Sequence, residues 1–410
     1  MGKNWKDHLV RSDITEWLSL FLLLVFPFLG YLPHPTLLLT GMVCVTLGLW
    51  LWQWKTGKYS PDFSALDLLV LLSALSFFLS GTLTFGSRTA FFEGLVKALL
   101  LLFYFPSVAF FCRSKWRERG FFALQFSGGI AAFLGILQYF RGKALLQWVD
   151  LQRFSDIGGR VTGGFGNPNV FSIYLLLVFP ISLVMLCKGK ESLESRLFAF
   201  LCLCAELLCL ILTWSRGAWL GAMLSIFLFL LFFSHRTRRW LLIIPIPVFV
   251  VCFYLPHNIV NRFQSIGNLS ESSIQYRLFV WKGVWRMLCH HPFGIGMGRE
   301  AFTAHYLPYA VKGTETVIHT HQIFFQILCE LGIIGLILFL SFLAILFYQL
   351  IKKSRRTQDD DTSVIFGGGL ALLGALAAGM FDNIWYHSGV FCLFWVMAAL
   401  AASALKNGRS

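Results

Sequence analysis

The sequence predicts an all-α integral membrane protein with about 12 transmembrane helices. Of its 410 residues, 57% are hydrophobic and 13% are charged, whereas about 25% of the residues of a soluble domain are charged. Apolar runs long enough to cross a bilayer recur along the whole chain. The composition excludes a soluble enzyme, and the net charge of +14 then concerns membrane orientation and not a nucleic-acid partner.

Twelve apolar runs of spanning length define the predicted organisation. They lie near residues 16–33, 36–54, 65–85, 89–111, 119–140, 168–187, 197–214, 216–234, 239–255, 321–350, 363–381 and 385–405. No cleavable signal peptide is predicted, because the polar start leads into a run long enough to span. Residues 1–410 are therefore predicted to form one polytopic domain in contact with the lipid bilayer.

The distribution of lysine and arginine predicts the orientation. Most of these 34 residues fall in alternate loops, and basic loops stay in the cytoplasm, so both termini are expected to be cytoplasmic. Two predicted outer loops are long, 141–167 and 256–320, and the second separates spans nine and ten. Functional residues are often carried by long loops.

The large outer loop, 256–320, is predicted to contain amphipathic helices. From Ser272 onward, apolar residues recur at helical spacing, at Ile274, Leu278, Trp281, Trp285 and Leu288. Ser272 and Gln275 fit a capping box at its start. Such a helix is expected to lie on the outer membrane surface.

A glycine-rich segment leads into the sixth span. Asn167 is predicted as the N-cap and Pro168 as the first helical residue. A helix N-terminus attracts anions, although a capped helix after a glycine loop needs no ligand. Ser215 and Arg216 repeat this arrangement where the eighth span begins.

Three arginines are predicted near the outer surface: Arg160, Arg216 and Arg277. The guanidinium fork suits phosphate, so all three could bind one anionic group. The alternatives are that Arg160 only orders its loop, that Arg216 reaches lipid headgroups, and that Arg277 is a surface residue.

His319 and His321 precede the tenth span and are followed by Gln322. A neutral imidazole there could take a proton from a hydroxyl. A metal site is the rival interpretation, but His-x-His gives two ligands and no nearby cysteine or acidic cluster completes the set. The sequence therefore predicts neither a metal nor another cofactor; interfacial histidines without chemistry are the third possibility.

Three charged residues are predicted inside the bilayer: Lys97, Glu206 and Glu330. Each lies roughly 12–14 Å from the outer end of its helix. Because an isolated buried charge is costly, Lys97 is expected to pair with Glu206 or Glu330 and to hold helices in register beneath the site.

The ordered motifs between about 160 and 335 resemble the O-antigen ligase and O-antigen polymerase superfamily of bacterial membrane glycosyltransferases. The resembling segments are Gly164-Phe165-Gly166-Asn167-Pro168-Asn169, Ser215-Arg216-Gly217-Ala218-Trp219, Arg277 with Trp281, His291-Pro292-Phe293-Gly294-Ile295-Gly296-Met297-Gly298, His319-Thr320-His321-Gln322 and Glu330-Leu331-Gly332-Ile333-Ile334-Gly335. Gln322 stands where the family has Asn, and Met297 replaces a common proline.

The resemblance implies inverting, metal-independent transfer of a glycan from an undecaprenyl diphosphate carrier. The acceptor would be a hydroxyl of a glycolipid or glycan, such as the lipid A core, on the outer face of the cytoplasmic membrane. By position, Arg216 and Arg277 would bind the diphosphate, and His321 or His319 would activate the acceptor, with His321 preferred. The predicted supporting residues are Asn167, Asn169, Ser215, Gln322, Glu330, Lys97 and Glu206.

Three other functions remain open from the sequence. A repeat-unit polymerase of the same superfamily would use a second lipid-linked glycan as acceptor. A solute transporter is suggested by relatives described as bicarbonate transporters, although transporter sites usually lie at mid-membrane between repeated halves. A membrane scaffold would leave the outward arginines and histidines without a role.

Overall fold

The computed structural model describes residues 13–58, 62–83, 87–141, 159–188, 192–239, 257–355 and 360–406. Within these ranges there are α-helices and short 3-10 helices and no strand. The helices are α1 (Ile14–Val25), α2 (Pro35–Lys55), α3 (Ala65–Leu83), α4 (Arg88–Leu102), α5 (Tyr104–Cys112), α6 (Ser114–Phe140), α7 (Pro168–Cys187), α8 (Leu193–Leu212), α9 (Arg216–Phe232), α10 (His235–Arg238), α11 (His257–Gln264), α12 (Ser272–His290), α13 (Gly298–Tyr306), α14 (Ile323–Ser354), α15 (Asp360–Gly379) and α16 (Ser388–Lys406).

Ten helical stretches in the described part of the chain are long and apolar enough to cross a membrane. They coincide with predicted runs one to seven and ten to twelve, which confirms the all-α membrane fold. The eighth run forms α9, which is shorter at 17 residues. The ninth run, 239–255, lies outside the described residues except for Arg239.

Helices α7 and α16 lie at the centre of the bundle. In each of them 89% of the apolar stretch is buried inside the protein. Sequence explains both positions, because α7 is apolar on all sides and α16 is rich in alanine, so neighbours can pack around them closely. The outer helices instead expose large apolar side chains such as Phe21 and Leu37, as expected of a lipid-facing surface.

One face of the bundle is marked by ion pairs between helix ends. Arg113 lies 2.6 Å from Glu16, Lys406 lies 2.7 Å from Asp67, and Lys353 lies 2.8 Å from Asp361. The sequence places all of these ends on one side, and the structure brings them together there. The starts of α7, α9 and α14 belong to the opposite face.

A glycine kink joins the outer loop to α14. Gly332 interrupts the helix with φ 66° and ψ −168°. Loop residues fill the gap: Ile295 N donates to Cys329 O at 2.7 Å, and Ile333 N donates to Pro292 O at 3.0 Å. A Cβ on Gly294 would lie 2.8 Å from Gly332 N, so this close contact requires glycine.

The predicted amphipathic helix is present as α12, but two details of the prediction are wrong. Its N-cap is Glu271, whose carboxylate accepts from Ile274 N at 3.1 Å, so Ser272 and Gln275 form no capping box. Its buried face centres on Val280 and Val284, which pack against α13 in a small core of their own. Consequently Trp285, predicted on the apolar stripe, is 60% exposed.

Candidate active site

Three chain segments meet at the face opposite the ion pairs. They are the start of α7, the turn before α14 and the short connection between α15 and α16. Asp382, in that connection, joins them: it accepts from Asn169 Nδ2 at 2.6 Å and lies 3.4 Å from His321 Nδ1. The structure therefore assembles a polar site from residues more than 200 positions apart.

Asp382 is the anionic centre of this site. Its Oδ1 also accepts from Asn383 N at 2.8 Å. Burial alone would raise the pKa of Asp382, but the hydrogen bond with His321 and the positive charges of His321 and Arg277 lower the pKa well below its ordinary value. Asp382 is therefore an ionised acceptor facing the imidazole of His321.

His319 and His321 have different chemical roles in this geometry. His319 Nδ1 accepts from the backbone N–H of His321 at 3.2 Å. Its other ring nitrogen, Nε2, then carries the proton and can only donate. In His321, Nδ1 faces Asp382, so a proton there leaves the Nε2 lone pair available as a base. His321 also has a φ of 52°, which is unusual for a residue other than glycine.

Burial lowers the pKa of His319 to about 3, and the neighbouring His321 charge acts in the same direction. Since the unfolded pKa is near 6.5, the unfolded chain binds the extra proton first, and stability falls as the pH drops from 6.5 towards 3. We expect His319→Gln, which keeps an acceptor for the His321 amide, to lose less thermal stability than wild type between pH 7 and pH 5. Thermal unfolding in detergent measures this difference.

The control for this titration is His290→Gln, which changes an exposed histidine of α12. It should follow the wild-type pH dependence. Equal acid sensitivity of His319→Gln and wild type would contradict a neutral, partly buried His319.

The start of α7, which follows the glycine-rich segment, is capped as predicted. Asn167 caps α7 by accepting from Asn169 N at 2.8 Å and Val170 N at 3.3 Å, and Pro168 is the first helical residue. Arg160 is 4% exposed and donates to Thr213 O and Asn169 Oδ1, both at 2.6 Å. These contacts favour the alternative in which Arg160 orders the loop and holds Asn169 against Asp382.

Arg216 begins α9 and is held by acidic and hydroxyl groups. Its Nη2 donates to Glu271 Oε2 at 2.7 Å and to Ser273 Oγ at 2.8 Å, and its Nη1 donates to Ser265 Oγ at 3.0 Å. Ser215 occupies the N-cap position without a side-chain capping bond. Glu271 was not among the predicted site residues.

Arg277 lies on α12 within the electrostatic field of the same site. Burial lowers its pKa most strongly; Asp382 and Glu271 oppose this effect, and Arg216 adds to it. Arg277 is therefore close enough to Asp382, Glu271 and Arg216 for their charges to influence it. Of the three predicted arginines, Arg216 contacts Glu271 and Arg277 is influenced by the charges of both, whereas Arg160 contacts Asn169.

The remaining predicted supporting residues lie in three places. Gln322 caps α14 by accepting from Phe325 N at 2.6 Å. Lys97 pairs with Glu330 at 2.9 Å, which is one of the two predicted pairings. Glu206 is fully buried elsewhere, against Gly128 of α6.

The histidines and Asp382 also form a possible metal-ligand set. One atom each from His319, His321 and Asp382 lies within 4.8 Å of the others. The sequence argument considered only nearby cysteines and acidic clusters, so it did not find Asp382 as a third candidate ligand. Catalytic zinc sites take three protein ligands about 2.0–2.2 Å from the ion, and two histidines with one carboxylate fit that number and those ligand types.

Two functional candidates, Asp382 and Glu271, were missed by sequence reasoning. Asp382 carried one usable signal, because a carboxylate in the short connection between spans eleven and twelve falls on the predicted outer side. Glu271 directly precedes the predicted amphipathic helix, where the helix dipole favours a negative charge.

Most of the site residues lie in a segment that matches a known protein family. Residues 197–340 match the family model described as O-antigen ligase. This segment is similar to the O-antigen ligase family. It includes Arg216, Glu271, Arg277, His319 and His321, so the predicted resemblance is confirmed. Asp382 and Asn169 lie outside the matched O-antigen ligase segment and complete the site from elsewhere in the chain.

Curated relatives of the chain differ in their described activities. The chain is 30% identical over 231 residues to an O-antigen polymerase of Salmonella muenchen (54% of each chain) and 29% identical over 216 residues to a ComP-specific O-oligosaccharyltransferase of Acinetobacter baylyi (49% of this chain, 38% of that one). It is 24% identical over 264 residues to the teichuronic acid biosynthesis protein TuaE of Bacillus subtilis (60% and 52%). The chain thus spans about half the length of the curated relatives it matches, or less.

Proposed function

We propose that this multi-pass membrane protein is a glycosyltransferase that uses a lipid-linked donor on the outer face of the cytoplasmic membrane. The donor class is a glycan on undecaprenyl diphosphate, and the acceptor is a hydroxyl of a glycolipid or glycan. The observation that carries the proposal is the His321–Asp382 pair close to Arg277, whose charge is in turn influenced by Arg216. A base and two guanidinium groups in one site suit transfer from a diphosphate.

The reaction that fits this arrangement is a direct displacement. His321 Nε2 takes the proton of the acceptor hydroxyl while its oxygen forms a bond to the anomeric carbon. The bond between that carbon and the diphosphate oxygen breaks, and undecaprenyl diphosphate leaves with the bonding electrons. Asp382 stabilises the imidazolium, and Arg216 and Arg277 stabilise the charge that develops on the leaving group. Attack from the opposite side inverts the anomeric configuration.

The choice between ligase and polymerase depends on the acceptor. The family model is described as an O-antigen ligase, which favours transfer to a different acceptor molecule. The relative described as an O-antigen polymerase favours a second lipid-linked glycan as acceptor. Both activities use the same donor chemistry, so the site residues keep their proposed roles in either case.

Transfer of a labelled glycan from its undecaprenyl diphosphate carrier in proteoliposomes tests the proposal. The assay compares a lipid A core acceptor with a second carrier-linked glycan, each with and without EDTA. Transfer that survives EDTA supports metal-independent chemistry, whereas loss with EDTA and recovery with zinc assigns a metal to the two histidines and Asp382. No transfer, together with solute flux into the vesicles, would favour a transporter.

The contact between Arg216 and Glu271 predicts an effect on donor affinity. A diphosphate that binds Arg216 must compete with this carboxylate. We expect Glu271→Gln, which can still cap α12, to lower the donor KM by about tenfold because a charge-assisted contact no longer competes, with kcat little changed. A higher KM would instead show that Glu271 is needed to hold Arg216 in its binding position.

A further inference from the structure

A buried chain of hydrogen bonds connects an ion pair in the helix bundle to the backbone between the two histidines. Lys97 Nζ of α4 lies 2.9 Å from Glu330 Oε2 of α14. The other carboxylate oxygen, Oε1, accepts from Gln326 Nε2 at 2.9 Å. Gln326 Oε1 accepts from the backbone N–H of Thr320 at 3.0 Å. The bonds made by Gln326 are buried, so these groups depend on one another and not on water.

The chemistry of these side chains allows only one arrangement of donors and acceptors along the hydrogen-bond series. A lysine ammonium has only donors, and an ionised carboxylate has only acceptors. Glu330 therefore receives donors from Lys97 and Gln326, and Gln326 must turn its NH2 group towards Glu330. Its carbonyl oxygen is then the group that accepts the Thr320 N–H. The charge on Lys97 thus sets the orientation of an amide one helical turn closer to the histidines.

Hydrogen bonds of Thr320 hold the turn that carries His319 and His321. It is fully buried. Its backbone oxygen accepts from Trp281 Nε1 of α12 at 2.9 Å, and its hydroxyl donates to Gln322 O at 2.7 Å. The next residue, His321, has the left-handed φ of 52°. Such a conformation persists only where the surroundings determine it.

We propose that Lys97, Glu330 and Gln326 are positioning residues that orient His321 towards Asp382 by fixing the Thr320 amide. This inference rests on the proposed function, in which His321 accepts the proton of the acceptor. It goes beyond holding helices in register, since a register role needs the ion pair but not the direction of the Gln326 amide.

Gln326→Met separates these two roles, because it removes the amide and leaves the Lys97–Glu330 pair in place. We expect kcat to fall by about tenfold or more, since small displacements of a base have large effects, while the donor KM changes by less than about twofold. Unchanged kcat in this variant would overturn the proposal.

The charge-swapped variant Lys97→Glu/Glu330→Lys tests whether the orientation of the Gln326 amide matters. It restores an ion pair but places a donor opposite Gln326 Nε2. We expect it to recover thermal stability lost in Glu330→Lys and to keep a low kcat. Recovery of both would show that the pair is only a structural clamp. Asp67→Asn is the control: it breaks the Lys406 pair at the opposite face and should reduce stability without lowering kcat.

Deuterium uptake by a peptide covering residues 317–322 gives a readout that needs no activity. Gln326→Met and the swap should both accelerate exchange of this peptide, because the Thr320 N–H loses its acceptor. If the wild type shows no transfer, faster exchange still supports the hydrogen-bond chain while the proposed function fails. Wild-type exchange rates in both variants would overturn the inference whatever the activity.

Discussion

Substitution of His321 by asparagine is expected to lower kcat for glycan transfer by about 10²- to 10⁴-fold, the usual contribution of a general base. Asparagine tolerates the left-handed backbone conformation of this position, so the loss should come from the missing imidazole and not from misfolding. The donor KM should change little, because the arginines remain. Initial rates at saturating donor and acceptor measure the effect.

Two companion variants locate the base. Asp382→Asn keeps the shape but removes the charge that faces His321, and it should lower kcat less than loss of the imidazole does. His319→Gln should retain most of the activity, because His319 Nδ1 already accepts a backbone N–H. If His319→Gln were inactive and His321→Asn active, the two histidines would have to exchange roles.

Arg277→Lys is expected to lower kcat/KM for the lipid-linked donor by about 10²-fold or more. Lysine keeps the positive charge but loses the planar fork that makes two parallel bonds to a phosphate. Removal of one positioned donor from a transition-state site typically costs about 10²–10³ in kcat. Steady-state kinetics with donor concentration varied separates the effects on kcat and KM.

Arg286→Ala is the matched control for Arg277, because it changes an exposed arginine on the same helix, α12. It should leave kcat/KM near the wild-type value. Equal losses in Arg277→Lys and Arg286→Ala would indicate a general electrostatic effect of α12 on the anionic donor and not a specific diphosphate contact.

The fold was largely predictable because membrane crossing imposes a simple rule on sequence. A helix in lipid must satisfy its own backbone, so every span needs a long apolar run. The start of α7 was also predictable, since Asn167 and Pro168 act through bonds within three residues. The ordered motifs pointed to Arg216, Arg277 and His321 through resemblance, and the resemblance to the O-antigen ligase family is confirmed over residues 197–340.

The parts of the site that the sequence did not predict depend on contacts between distant segments. Asp382 acquires its importance only when α15 ends beside His321 and Asn169. The choice of Glu330 over Glu206 as partner of Lys97 depends on which helices pack together, since both acids were expected at similar depth. Glu271 was overlooked because Ser272 offered a plausible cap one residue later.

The kink at Gly332 has a consequence for chimeric proteins. The kink leaves Cys329 O and Ile333 N without partners inside the helix. Pro292 and Ile295 of the outer loop supply those partners. A transplanted loop that failed to supply the same carbonyl and amide would leave both groups without partners next to the hydrocarbon, at a cost of several kcal/mol each. Exchange of the outer loop between relatives therefore requires that loop segment and the Gly332 turn to be moved together.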